Sequence, residues 1–80
     1  MENIQLKLYQ NTLSTRFYAI EEDKKRNVEH ICEIDLRKHI IKDFDFEQRN
    51  DHFTDWFGYI PTSKEAWNRA VEEVMRNKLL

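Results

Sequence analysis

The sequence predicts an α+β domain, a four-stranded antiparallel sheet (ββββαα) with two helices packed on one of its faces. Three observations lead there. Residues 3–9, Asn-Ile-Gln-Leu-Lys-Leu-Tyr, alternate apolar and polar as a half-buried strand does. Residues 45–80 carry two capping-box patterns, each followed by apolar residues at helical spacing. The 80 residues hold a single Gly and a single Pro, and both fall between those two helical stretches.

The elements follow in order. The first strand, about 3–9, points Ile4, Leu6 and Leu8 to one side and Gln5, Lys7 and Tyr9 to the other. Gln10-Asn11-Thr12 is turn material. A second strand, about 14–22, contains Phe17 and Tyr18, adjacent aromatics that must face opposite sides of a sheet. Asp23-Lys24-Lys25-Arg26-Asn27 is a polar break. Periodicity alone leaves residues 28–44 open. As a helix, Val28, Ile31, Cys32, Leu36 and Ile40 share a face with Asp35 and His39; as a strand, Val28, Cys32, Ile34 and Leu36 share one with His30. Two strands, about 28–35 and 38–44, are the better reading. A helix would wet Ile34 and Ile41 and leave a lone hairpin as the sheet, which is marginal in water.

A first helix, about 46–57, opens on Asp45 with Gln48 three residues on, carries Phe46, Phe53, Trp56 and Phe57, and closes at Gly58, which suits a left-handed C′ position. Pro61 separates it from a second helix, about 63–78. There Glu65 is placed to reach back to Thr62, and Trp67, Ala70, Val71, Val74 and Met75 form the buried stripe.

Composition bounds the function. Forty per cent apolar and 35% charged residues describe one folded domain, residues 1–80. With 13 Lys and Arg against 15 Asp and Glu, the net charge of −2 argues against direct nucleic-acid binding. No apolar run approaches the roughly 20 residues of a membrane span, and Met1-Glu2-Asn3 begins no signal peptide, so a cytoplasmic chain that does not engage membranes is expected. Cys32, the only cysteine, excludes an internal disulfide. A chain this short buries about 60% of its unfolded surface and has little room for a deep supported pocket. It is expected to act by contact and not as an enzyme. His30 and Cys32, two apart, with His39 and His52 beyond, lack the paired spacings of a zinc site. No metal or cofactor is expected, and no nucleotide-binding fingerprint is possible with one Gly.

Two surfaces stand out. If Ile4, Leu6 and Leu8 face the helices, then Tyr9, Glu29, Ile31, Glu33 and Phe17 or Tyr18 lie on an open sheet face, apolar groups ringed by charge as at an interface. The alternative is an acidic ridge: Glu47, Asp51 and Asp55 fall at i, i+4 and i+8 of the first helix, suited to a basic partner or to mimicry of nucleic acid.

The segments Asp43-Phe44-Asp45 and Trp56-Phe57-Gly58-Tyr59-Ile60-Pro61, with the final helix, resemble a small phage-encoded anti-CRISPR family that acts on the type I-F surveillance complex. The likeness covers about half the chain, with Gly58 and Tyr59 in swapped order. It implies the same sheet-and-helices fold and a stoichiometric inhibitor, monomer or homodimer, in the host cytoplasm. Such an inhibitor binds a Cas backbone subunit and blocks target DNA recognition. The family's contacts are sheet-face tyrosines and a glutamate. By position Tyr9 stands for one tyrosine and Glu29 or Glu33 for the glutamate. The second-strand tyrosine falls on Glu21, with Tyr18 three residues earlier. Tyr9, Tyr18, Glu29, Ile31 and Glu33 are therefore the expected partner-binding set.

Overall fold

The computed structural model describes residues 6–47, 51–55 and 58–78. Four strands run β1 (Leu6–Gln10), β2 (Arg16–Asp23), β3 (Val28–Asp35) and β4 (Ile40–Glu47). A 3₁₀ turn (Phe53–Asp55), a short β5 (Ile60–Pro61) and one helix, α1 (Lys64–Lys78), follow. The result is α+β with one five-stranded antiparallel sheet in the order β4-β3-β2-β1-β5. Residues 28–44 thus fold as paired strands, where a helix would have left β2 with β1 as its one partner.

Three hairpins meander across the sheet, each turning through a left-handed residue that is not glycine: Ser14, Asn27 and His39, with φ of 57°, 54° and 56°. Side chains hold these turns in place of glycine. The Asn11 amide oxygen accepts from the Thr15 and Arg16 N–H groups at 2.9 and 3.1 Å. An Asp35 oxygen accepts from Arg37 and Lys38 N–H at 2.9 and 3.1 Å. Burial alone would raise the Asp35 carboxyl, but those donors and the Arg16 guanidinium at 3.5 Å hold it below its ordinary range.

Register assigns the faces, because residues directly opposite share a side. Gln10, Phe17, Ile34 and Ile41 form one row, Leu8, Ala19, Cys32 and Asp43 the next, and Leu6, Glu21, His30 and Asp45 the next. Helix α1 covers only the first end of this face. Ala66, Trp67, Ala70, Val71 and Val74 pack there on Phe17, Ile34, Leu36 and Ile41. Met75, expected in the stripe, is 52% exposed, because it lies past the sheet-facing side of the helix. The helix opens on Ser63, whose hydroxyl accepts from Ala66 N–H at 3.1 Å. Thr62, the cap expected from sequence, instead pairs with β1: its N–H donates to the Leu8 carbonyl at 3.0 Å and its hydroxyl to Gln10 Oε1 at 2.6 Å.

The opposite face carries Lys7, Ile20, Ile31 and Phe44 in one row and Tyr9, Tyr18, Glu33 and Lys42 in another. It is not open. Tyr18, Ile20 and Ile31 are buried beneath Phe53 and Tyr59, with Tyr9, Phe44 and Phe46 packed around them. The first helix expected at 46–57 is therefore corrected. Phe46 and Glu47 complete β4, and among the described residues of that segment only Phe53–Asp55 make a helical turn. Alternation across residues 40–47 continues the ladder with β3, which outweighs the capping signal at Asp45. Gly58 does not adopt a left-handed conformation. The expected strand residues 3–5, the Gln48 cap partner, and Trp56 and Phe57 lie outside the described residues. No described helix is long and apolar enough to cross a membrane.

Candidate functional site

The expected partner set gathers on one face, but chiefly in its interior. Tyr18 is 3% exposed, Glu29 5% and Ile31 1%. Tyr9 and Glu33 are half-buried, and Glu33 is paired with Lys42 at 3.6 Å. Placing Tyr18, Glu29 and Ile31 on an open surface is corrected, because the segment after β4 folds back over them. Phe53 lies at its centre. Its ring centroid is 5.1 Å from Tyr59 in a stacked pair and 5.3, 5.7 and 5.8 Å from Tyr18, Phe44 and Phe46 in tilted ones. Glu29 fastens the cover: Phe53 N–H donates to one carboxylate oxygen at 2.7 Å, and His52 Nδ1 lies 3.6 Å from the other. Tyr59, desolvated and hydrogen-bonded with Tyr18, has its phenol pushed up from the ordinary value. The acidic ridge is likewise not a helical row. Glu47 ends β4, half-buried Asp51 precedes the turn, and Asp55 accepts from His52 N–H at 2.8 Å.

A different group is brought together on the half-face that α1 leaves uncovered. The pleat puts Asp43, Asp45 and Glu47 on one side of β4, successive charges roughly 6.6 Å apart. Glu21 and Asp23 of β2 lie on the same side, with His30 of β3 between the two strands. His30 Nδ1 is 2.6 Å from Asp45 Oδ1, and its Nε2 is 3.9 Å from Asp23 Oδ2. Leu6, Ala19, Glu21, His30, Cys32 and the two Asp residues of β4 line a shallow depression of about 250 Å³.

The chemistry of this surface is electrostatic. The hydrogen bond with Asp45 raises the His30 pKa over an opposing desolvation, and the negative charges of Asp45, Asp23 and Glu21 add to the rise. Burial, then the hydrogen bond and negative charge of Asp43, push the Cys32 thiol up to about 11. It is protonated at neutral pH and is not an activated nucleophile. Among the described residues no group of three or more His, Cys, Asp or Glu side chains is arranged to hold a metal ion. What remains is a negatively charged plate with His30 at its centre and the Arg26 guanidinium 3.9 Å from Asp23 at its margin.

No family model, curated protein or solved structure matches the chain. The surface is therefore read on its own chemistry. One signal for it was present in the sequence, the i, i+2, i+4 spacing of Asp43, Asp45 and Glu47. Ending the fourth strand at residue 44 hides that signal, because Asp45 then becomes a helix cap and Glu47 falls in the helix.

Proposed function

We propose that this chain is a stoichiometric inhibitor that binds a basic surface on a nucleic-acid-handling protein complex and keeps nucleic acid off it. The observation that supports this reading is the uncovered half-face where Glu21, Asp23, Asp43, Asp45 and Glu47 converge around His30. Carboxylates repeating every second residue are spaced on the same scale as successive phosphates of a nucleic-acid strand. They suit the Lys and Arg grooves that hold such a strand, and they repel nucleic acid itself. The family resemblance would make that complex a type I surveillance complex, with the basic groove on a Cas backbone subunit. In this proposal the acids, and not Tyr18, Glu29 and Ile31, make the contact.

Binding to a purified type I-F surveillance complex, with labelled target DNA as competitor, tests the reading. The chain should displace DNA with affinity that falls steeply as salt rises. The double variant Asp43→Lys, Asp45→Lys should bind roughly a hundredfold less tightly, on the scale of interfacial charge reversals. Tyr9→Ala should bind within about threefold of the unmodified chain, as interface neighbours outside a hot spot do. Unchanged affinity in the charge-reversed protein rules the proposal out.

A further inference from the structure

Strand β4 lies at the end of the sheet order, with β3 as its neighbour on one side. Among the described residues no strand lies beside its outer edge. Every second residue there presents an N–H and a C=O outward, a template for one more strand. Edge strands commonly carry charge to prevent self-pairing. On β4 that charge is sorted by face. Asp43, Asp45 and Glu47 stand on the helix side, while Phe44 and Phe46 stand on the aromatic side, half-buried beside Phe53.

The sorting selects among occupants. A two-fold antiparallel pairing of two β4 strands keeps like faces together. Centred on Asp43, Phe44 or Asp45, it sets acid directly opposite acid, which destabilises the pair. A strand with Lys or Arg at alternate positions and apolar residues between them meets the acids on one face and the two phenylalanines on the other. We propose that the outer edge of β4 is a strand-addition site for a basic, alternating segment of a partner protein. This rests on the acidic half-face being the contact surface and adds how the partner's backbone engages it.

The probe is an acetylated peptide of alternating lysine and valine, as long as β4, titrated into the full chain. The control is the same peptide N-methylated at alternate residues, with its charge kept and its outward hydrogen bonds blocked. The expected result is slowed hydrogen exchange at alternate β4 amides, with the N-methylated peptide binding roughly tenfold more weakly or worse. Equal binding by both peptides overturns the strand addition while leaving the acidic contact surface standing. No binding by either at low salt overturns both. Protection of β4 that grows with the concentration of the chain alone, without peptide, overturns it in favour of a second copy.

Discussion

Glu29 is a buried carboxylate whose value lies in what it holds. It ties β3 to the Phe53 turn through a backbone N–H at 2.7 Å. Replacing it by Ala leaves that donor without its acceptor in a partly buried site, at a cost of about 2 kcal/mol. Glu29→Gln keeps the acceptor and should cost less than about 1 kcal/mol. Urea unfolding of the two variants checks the difference, and equal losses would mean that the charge matters more than the hydrogen bond. His30 makes a different prediction. Its pKa is raised in the folded chain above 6.5, chiefly by the bond to Asp45. The stability it contributes is complete below pH 6.5 and is lost as pH rises through the raised value. Asp45→Asn should lower the His30 pKa in an NMR titration and flatten that part of the stability profile. Neither role is legible in the sequence. In the sequence Glu29 reads as an exposed partner contact, and its acceptor role depends on a contact with a residue 24 positions away.

At the level of elements, strands were more legible than the segments joining them. The strands expected at about 3–9, 14–22 and 28–35 are found at Leu6–Gln10, Arg16–Asp23 and Val28–Asp35; alternation marks the first, while the third rests on the apolar residues a helix there would wet. Helix α1 is legible because Trp67, Ala70, Val71 and Val74 recur at helical spacing, although its cap is Ser63 and not the expected Thr62. The segment after β4 was misread because Phe46 and Phe53 are also seven apart, a helical interval. Here one lies on a strand and the other folds back over it. β5 is two residues long and has no periodicity to read. The cap makes a clean comparison. Ser63→Ala should cost about 1 kcal/mol and show as fraying of the first turn by circular dichroism. Thr62→Ala should leave the helix intact and loosen the β1–β5 pairing instead, visible as faster exchange of the Thr62 amide.

On the scale of the molecule, the sheet divides two thin cores. Phe17, Ile34, Ala70 and Val74 make one under the helix, and Tyr18, Ile20 and Ile31 the other under Phe53 and Tyr59. The radius of gyration, 13.2 Å, exceeds the ~12 Å usual for a chain of this length, as a plate-like body requires. Each core depends on few side chains. Total stability for such a chain is of order 4–12 kcal/mol. Phe53→Ala should remove about 3 kcal/mol of it. A thermal melt should then show a large fall in midpoint and early exposure of Tyr18 to solvent, whereas Met75→Ala should shift the midpoint little.

The two margins of the sheet are unequal. Beyond β1, the closing strand is only Ile60 and Pro61, and proline has no N–H to give. The two-residue margin therefore offers an incoming strand a shorter ladder than the eight-residue β4 does, so the strand addition proposed above should be confined to the β4 side.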